Sequence, residues 1–283
     1  MASPDPRLRP RRSLLFVPGT RPDRFAKALA SGADSVCLDL EDGVATGDKE
    51  RAREEVAGFL AARASGGDDP ASPELLVRVN GPASDEGRRD VEALVAGPLP
   101  DGVMVPKADA PDVLEALGRA LAGLPLLPLV ETPLALHRAE DIARVPGVAA
   151  LLFGGMDLAA ELGARFAWEP LLHARSRMVL AAALGGVGAL DVPFPDLADE
   201  AGLREEALRV AGLGFVGKLA VHPAQVPHLN RAFTPSGDEL ERALRIVEVA
   251  ASATEGVFVV DGRMVDRPVV ESARRTVARA RSP

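Results

Sequence analysis

The sequence is poor in the residues that carry redox and zinc chemistry. It has a single cysteine, Cys37, among 283 residues, so no disulfide can form within the chain. Cys37 lies inside the apolar run SVCLDL, where we expect a small core residue, and this usage fits the reducing cytoplasm. No HxH, HExxH or CxxC pattern occurs, which argues against a zinc site.

The chain also lacks the segments that would direct it to a membrane or to nucleic acid. Its N-terminus, MASPDPRLRPRR, contains no apolar signal core. The longest apolar run, from Met178 to Leu190, is shorter than the about 20 residues that span a bilayer. A net charge of −8 argues against nucleic-acid binding, and the one basic cluster, Arg7 to Arg12, is expected to be a solvated tail. We therefore predict a cytoplasmic protein with no membrane or nucleic-acid partner.

Short β-rich runs alternate with helical patterns from residue 13 onward. Most runs are continuously apolar, which is typical of parallel strands buried on both faces. Eight βα units within about 220 residues match a TIM (β/α)8 barrel. The doubly wound alternative is disfavoured because VPGTRPDR has one glycine where the dinucleotide fingerprint needs three. The predicted strands are 13–17, 34–40, 74–80, 102–107, 124–131, 147–154, 188–194 and 215–222.

The pattern changes after the eighth strand, which suggests three parts. We expect a loosely ordered tail (1–12), a catalytic barrel (13–223) and a C-terminal extension (224–283). The extension contains GVFVVDGRMVD, which predicts a hairpin turning at Asp261-Gly262, followed by a final helix. This extension is expected to serve as a lid or as an oligomer contact.

Polar residues follow nearly every predicted strand. The C-terminal strand ends carry the chemistry of a TIM barrel, so these side chains are expected to meet at one mouth. Glu131, in LPLVETPLAL, is the most informative, because Thr132 is the better helix cap and a buried carboxylate needs a partner or a cation. For Asp191, which lies within LDVPF, we expect a structural role. The others are Arg21, Asp39, Glu41, Asp42, Arg78, Asn80, Lys107, Asp157, Lys218 and His222.

Glu131 and Asp157 follow neighbouring strands, so their carboxylates can converge. Two oxygen ligands with open positions suit Mg²⁺, which keeps waters and accepts substrate oxygens. Arg78 would add a fixed cation whose fork suits a carboxylate or an enolate oxygen. Two structural alternatives stay open, with Asp157 as a helix cap and Arg78 as an ion pair with Glu41 or Asp42.

Seven ordered motifs give the chain a family resemblance. They are LLFVPGTRPDRFAKAL, DLEDGVATGDKERAR, VRVN, MVPKA, LVETPLAL, LLFGGMDLAAELG and GFVGKLAVHPAQ. Together they resemble the citrate lyase β-subunit-like family of the HpcH/HpaI aldolase superfamily, relatives of malyl-CoA and citramalyl-CoA lyases. The resemblance implies a trimeric or hexameric TIM barrel that uses Mg²⁺, or Mn²⁺ in its place, to make or break a carbon–carbon bond beside a coenzyme A thioester.

The resemblance also assigns roles by motif at the barrel mouth. Glu131 and Asp157 match the two metal ligands. Arg78 matches the clamp for a substrate carboxylate or oxyanion. We add Glu41 and Asp42, which lie in the motif DLEDGV, as further catalytic candidates.

Further roles implied by the resemblance concern coenzyme A and a lid. Phe16, Arg21 and Lys27 match positions that hold coenzyme A, and His222 matches a wall near the thioester or adenine end. Asp266 matches an aspartate that closes over the site of a neighbouring subunit. The structural alternatives are a solvated Lys27, a helix-entry turn at His222 and a helix cap at Asp266. The chain has no tyrosine, so any role of a tyrosine in relatives is filled otherwise.

Together with the resemblance, these residues predict a Mg²⁺-dependent lyase acting on a 3-hydroxyacyl-CoA thioester such as malyl-CoA, citramalyl-CoA or citryl-CoA. The products would be acetyl-CoA or propionyl-CoA and an α-keto acid. Arg78 would stabilise anionic oxygen, and Asp266 would exchange a proton with the enolate carbon. The alternatives are a citrate lyase β subunit acting on a carrier-protein thioester, a thioesterase, a pyruvate-type aldolase and a non-catalytic CoA-ester-binding protein.

Overall fold

The chain forms a closed barrel of eight parallel strands, seen in a computed structural model that describes residues 5–66, 72–253 and 256–280. Each strand pairs with the next in the chain, and the eighth pairs with the first. The predicted TIM barrel is confirmed. The strands are β1 (Ser13–Pro18), β2 (Ser35–Asp39), β3 (Glu74–Arg78), β4 (Gly102–Val105), β5 (Leu126–Val130), β6 (Ala150–Phe153), β7 (Gly188–Asp191) and β8 (Gly217–Ala220).

Helices connect the strands, as the periodicity predicted. Thr132 caps one of them by accepting a hydrogen bond from the amide of Ala135, and Pro133 follows in the first turn. None of the described helices has the length and apolar character that crossing a membrane requires. The helices are α1 (Pro22–Leu29), α2 (Lys49–Gly66), α3 (Asp85–Ala96), α4 (Pro111–Ala120), α5 (Pro133–His137), α6 (Ala139–Ala143), α7 (Gly155–Glu161), α8 (Trp168–Gly185) and α9 (Glu200–Leu213).

Apolar side chains from the strands form a core cluster that includes Cys37, as predicted. Burial raises the pKa of the Cys37 thiol well above its ordinary value, so the thiol stays protonated and unreactive. Successive side chains of a strand point to opposite faces, so the neighbours of these core residues point the other way. The cluster consists of Leu14, Cys37, Leu76, Met104, Leu127, Leu129, Ala150, Leu152, Leu190 and Leu219.

A buried ionic network joins β7 and β8 to α8 and α9. Lys218 Nζ lies 2.6 Å from Asp191 Oδ2 and 2.7 Å from Glu206 Oε1. Arg175 Nε donates to Asp191 Oδ1 at 2.9 Å. The structural role of Asp191 is confirmed. The expectation that Lys218 points into the mouth is wrong, because its neighbour Leu219 belongs to the core cluster and Lys218 therefore faces the helices.

Removing one partner from this network is expected to destabilise the fold strongly. Lys218 is fully buried, so Lys218→Met should lower the free energy of unfolding by about 3 kcal/mol by leaving Asp191 incompletely compensated. The matched control is Arg119→Met, which removes an exposed cation 3.8 Å from Glu115 and should cost no more than about 0.5 kcal/mol. Urea unfolding monitored by circular dichroism compares the two variants. Equal losses would contradict this assignment.

A second buried ion pair lies at the N-terminal ends of the strands. Arg11 donates to both carboxylate oxygens of Glu74, at 2.7 and 2.6 Å, and Ser35 Oγ donates to the same carboxylate. Arg12 pairs with Asp34 at 2.7 Å. The prediction that the basic cluster is solvated is therefore wrong for Arg11 and Arg12, because each guanidinium group makes bidentate hydrogen bonds with a carboxylate. Residues 1–4 of the predicted tail lie outside the described residues.

The chain divides into two compact units, residues 1–230 and 231–283. α10 (Val226–Phe233) precedes α11 (Gly237–Ser252), β9 (Phe258–Val260), β10 (Arg263–Val265) and α12 (Arg267–Ala280). The predicted hairpin is confirmed, since β9 and β10 pair antiparallel around Asp261 and Gly262, both of which have positive φ. The second unit has its own core of Ala243, Ile246, Val260, Val265, Val270 and Ala273.

Candidate functional site

Arg78, at the C-terminal end of β3, is held by carboxylates and by an aromatic ring. Its Nε and Nη2 donate to the two oxygens of Asp39, both at 2.6 Å, and Nη1 lies 3.0 Å from Glu41 Oε2. The guanidinium carbon lies 4.8 Å from the centroid of the Phe16 ring. The expected ion pair with Glu41 is present, whereas Asp42 is 4.0 Å away and largely exposed. The guanidinium is therefore fixed in position and orientation.

Asp39, the main partner of Arg78, is a residue that the sequence placed at the mouth but to which it assigned no role. Besides the two bonds from Arg78, its carboxylate accepts the amides of Glu41 and Gly43, each at 2.8 Å. A Cβ on Gly43 would lie 2.5 Å from Asp39 Oδ2. The loop can therefore approach the Asp39 carboxylate this closely only with glycine at position 43. Four donors leave Asp39 as a support for Arg78 rather than a group that is free for substrate.

A hydrogen-bond network fixes the loop that carries Glu41. Lys49 Nζ donates to the carbonyl oxygens of Leu40 and Glu41, both at 2.7 Å. Asn80 Nδ2 also donates to the Leu40 carbonyl, at 2.8 Å, and to Asp90 Oδ2, at 2.7 Å. The buried Asp90 carboxylate is compensated by the guanidinium of Arg53, whose Nε donates to Asp90 Oδ1 at 2.9 Å. The network determines where the backbone of Glu41 lies.

Glu131 follows β5 and is only 2 % exposed. Its Oε1 accepts the backbone amide of Lys107 at 2.8 Å. Burial raises the pKa of Glu131 to about 8; the Lys107 amide opposes the rise, and the charges of Glu41 and Asp157 add to it. Burial likewise raises the pKa of Glu41, against the pull of Arg78. Several carboxylates therefore act on one another at this end of the barrel.

Asp157 lies in the first turn of α7, directly beyond β6. Gly154 occupies the cap position of that helix, so the alternative of Asp157 as the cap is wrong. Val130 and Phe153 are register partners in β5 and β6, which brings the segments that follow them side by side. Among the described residues, no three His, Cys, Asp or Glu side chains group closely enough to hold a metal on their own.

The coenzyme A candidates Arg21 and Lys27 lie around α1. Arg21 donates through Nε and Nη2 to Asp23, both at 2.9 Å, and is half-buried. Lys27 is exposed in the last turn of the helix. Phe16 packs against the core cluster and against Arg78. Arg21 therefore directly follows β1, at the same end of the barrel as Arg78, whereas Lys27 lies further along α1.

The remaining two candidates are both found in capping positions. His222 begins the turn of 3₁₀ helix after β8, where its Nδ1 accepts the amide of Ala224 at 3.2 Å, as in the alternative of a helix-entry turn. Asp266, in the second unit, precedes α12, and its Oδ1 accepts the amide of Val269 at 3.3 Å. Capping uses one acceptor of each side chain, which leaves the Nε2–H donor of His222 and the second carboxylate oxygen of Asp266 for ligands.

The chain is similar to known proteins along most of its length. The family model described as HpcH/HpaI aldolase/citrate lyase matches residues 12–223. A citrate lyase subunit beta-like protein of Mycobacterium tuberculosis is 40 % identical over 94 % of both chains. A (3S)-malyl-CoA thioesterase of Cereibacter sphaeroides is 35 % identical over 96 % of this chain and 95 % of its own.

A solved structure extends the likeness to the fold. It is CitE from Mycobacterium tuberculosis in complex with magnesium, acetoacetate and coenzyme A. The two chains are 36 % identical and superpose with a TM-score of 0.82 over 96 % of this chain and 99 % of that one. With a family model that spans the barrel and relatives aligned along nearly their whole length, the chain belongs to the HpcH/HpaI aldolase/citrate lyase family.

Proposed function

We propose that the chain is a Mg²⁺-dependent carbon–carbon lyase that cleaves or forms a 3-hydroxyacyl-CoA thioester. The observation that carries the proposal is the buried Glu131, which interacts with further carboxylates near the fixed guanidinium of Arg78. The citrate lyase-like relative and the CitE complex with magnesium and coenzyme A support the same chemistry. The products would be acetyl-CoA or propionyl-CoA and an α-keto acid.

The residues at the mouth fit a magnesium ion. Glu131 is almost fully buried, and the charges of Glu41 and Asp157 make its ionised form more costly still. A divalent cation between Glu131 and Asp157 would offset that repulsion, and Mg²⁺ is held by one or two carboxylates while it keeps several waters. When bound, Mg²⁺ supplies Lewis-acid stabilisation of developing negative charge on oxygen.

Arg78 would stabilise the charge that develops when the carbon–carbon bond breaks. Its contacts with Asp39 and Glu41 use one hydrogen of each nitrogen, so both terminal nitrogens retain a second N–H for a substrate oxygen. Because Asp39 already fixes the fork, little reorganisation is needed as the charge appears. We assign the removal of the hydroxyl proton of the substrate to Glu41 or Asp42, which are the carboxylates nearest Arg78 besides Asp39.

We assign the coenzyme A half to the cations that follow β1 and the lid to the second unit. Arg21 and Lys27 would meet phosphates, with Phe16 and His222 as walls. Asp266, from a neighbouring copy in a trimer or hexamer, would exchange a proton with the enolate carbon. The family resemblance supports these assignments, and the exposure of Lys27 and the partial exposure of Arg21 are consistent with them.

A panel of malyl-CoA, citramalyl-CoA, β-methylmalyl-CoA and citryl-CoA tests the proposal. With Mg²⁺ we expect at least one of them to give a short acyl-CoA and an α-keto acid in equal amounts. The α-keto acid is followed with a coupled dehydrogenase and the acyl-CoA by chromatography. EDTA should abolish the reaction and added Mg²⁺ should restore it. Cleavage that continues undiminished in EDTA would contradict the proposal.

A thioesterase is the second candidate, favoured by the relative named (3S)-malyl-CoA thioesterase. Hydrolysis of the same ester gives free coenzyme A and a hydroxy acid, without an α-keto acid. The panel therefore separates the two activities when free coenzyme A and acetyl-CoA are both measured. Free coenzyme A as the first product, with no acetyl-CoA at early times, would select the thioesterase.

A further inference from the structure

Lys107 has an unusual backbone conformation at the barrel mouth. It follows β4 and Pro106, and its φ is +49°, a left-handed value that costs a residue with a Cβ about 1–2 kcal/mol. Ala122 and Asp261 are the other described non-glycine residues with positive φ. Strained backbone tends to persist where the surrounding structure imposes it, often at functional sites.

The strained residue contacts the buried carboxylate directly. The amide of Lys107 donates to Glu131 Oε1 at 2.8 Å. The other oxygen, Oε2, lies toward Gly154, where an added Cβ would be 2.9 Å from it and 2.2 Å from the Cβ of Glu131. Gly154 caps the helix whose first turn carries Asp157. One oxygen is therefore bound by an amide, and the other faces the segment that leads to Asp157.

Further contacts hold the Lys107 turn against the segment after β5. The carbonyl of Lys107 accepts the amide of Asp109 at 2.8 Å, which closes a three-residue turn. Thr132 Oγ1 donates to the Asp109 carboxylate. Arg138 Nη1 donates to the Asp109 carbonyl at 3.0 Å. The left-handed conformation is thus fixed from both sides, and with it the direction of the amide.

We infer that Lys107 is a positioning residue that acts through its backbone amide, which holds Oε1 of Glu131 so that Oε2 is presented to the metal ion shared with Asp157. The inference rests on the proposed function, because it concerns the affinity of that ion. It assigns the role to the N–H and to the left-handed backbone, and none to the ammonium group. Partners that orient a metal ligand typically contribute 10–100-fold to affinity.

The test is isothermal titration of Mg²⁺ into Lys107→Gly and Lys107→Val. Glycine adopts positive φ without steric cost, so Lys107→Gly should bind Mg²⁺ within about threefold of the wild type although it lacks the ammonium. Valine is β-branched and resists positive φ, so Lys107→Val should move the amide and weaken binding about tenfold or more. Neither variant should change the affinity for coenzyme A.

Ala122 provides the matched control for backbone strain. Its φ is +53°, and it lies in the turn between α4 and β5, at the opposite end of the strands from Glu131. Ala122→Val should lower the urea midpoint as Lys107→Val does, yet leave the affinity for Mg²⁺ unchanged. Loss of affinity in Ala122→Val would reveal a general effect of instability and would overturn the inference.

The remaining outcomes separate the inference from the proposed function. If Lys107→Gly loses as much affinity as Lys107→Val, the ammonium is responsible and the inference is wrong. If Lys107→Val binds Mg²⁺ as tightly as the wild type, the amide has no positioning role and the inference alone fails. A wild-type protein that binds no Mg²⁺ would overturn the proposed function and this inference together.

Discussion

Replacing Glu131 by glutamine is expected to lower the cleavage rate by about a thousandfold, which corresponds to roughly 4 kcal/mol of transition-state stabilisation. Glutamine has nearly the same shape and can still accept the Lys107 amide through its carbonyl oxygen. It lacks the negative charge with which we propose the protein binds a divalent ion. The measurement is kcat at saturating acyl-CoA and at Mg²⁺ concentrations well above those the wild type requires.

The same substitution is expected to stabilise the metal-free fold. Burial raises the pKa of Glu131 from its ordinary value of 4.5 to about 8 in the folded chain. A raised pKa means that ionisation is harder in the folded state, so this group reduces stability progressively as pH rises from 4.5 to 8. At pH 8 without metal, the urea midpoint of Glu131→Gln should exceed that of the wild type, and the difference should shrink toward pH 4.5.

Glu161→Gln is the matched control for charge removal, since Glu161 is exposed at the end of α7. Its rate and stability should remain close to those of the wild type, as for most surface substitutions. Two results would contradict the account of Glu131. One is a glutamine variant that retains most of the wild-type rate, and the other is a variant whose rate is lost only because the protein unfolds.

Replacing Arg78 by lysine is expected to lower kcat/KM by at least about a hundredfold, the cost of losing one well-placed oxyanion donor. The arginine fork reaches both oxygens of Asp39 and also Glu41. A lysine ammonium is a single point charge and cannot satisfy these carboxylates while it also presents a directed N–H to the substrate. The measurement is kcat/KM for the best thioester of the panel, with CD to verify folding.

Arg12→Lys is the matched control, because Arg12 makes the same bidentate contact with Asp34, at 2.8 and 2.7 Å, before β1. It should lower the urea midpoint while leaving kcat/KM nearly unchanged. Asp39→Asn should reproduce part of the Arg78→Lys loss, mainly in kcat, because the guanidinium stays in place with a weaker support. A fully active Arg78→Lys, or an equal loss in Arg12→Lys, would contradict the role of Arg78.

The barrel could be predicted from the sequence because its strands are short, apolar and separated by strong helix signals. All the predicted strands except the first extend too far toward their C-terminal ends, for example to Asn80 and His222 where the strands end at Arg78 and Ala220. The residues that follow the true strand ends continue an apolar or extended pattern, so the hydrophobic periodicity does not mark where each strand ends. The hydrogen bonds that end each strand are made to neighbouring segments and are invisible in a local pattern.

Part of the candidate site could also be predicted. The sequence indicated that Glu131, Arg78 and Glu41 follow strands of one barrel, and the structure brings them to the same end. No role was assigned to Asp39 because DLED contains three acids, and nothing local distinguishes the one that makes the bidentate contact with Arg78. The parallel register supplies that information, since Asp39 and Arg78 are partners across β2 and β3.

The misplacement of Lys218 has a different cause. Side chains alternate along a strand, so the core position of Leu219 places Lys218 on the outer face. The two-residue alternation of side chains would have placed Lys218 on the outer face if one inward-facing position of the strand had been known. Continuously apolar strands do not show which positions face inward. Arg11 was misjudged because its partner Glu74 is distant in sequence, and pairing of this kind depends on barrel closure.

The most direct test of the account is a crystal structure of the protein grown with MgCl₂ and oxaloacetate. We predict a single magnesium ion bound by one oxygen of Glu131 and by the carboxylate of Asp157, with water and the keto acid completing the coordination sphere. A magnesium ion bound elsewhere in the barrel, or Glu131 and Asp157 too far apart to share one, would contradict the central claim.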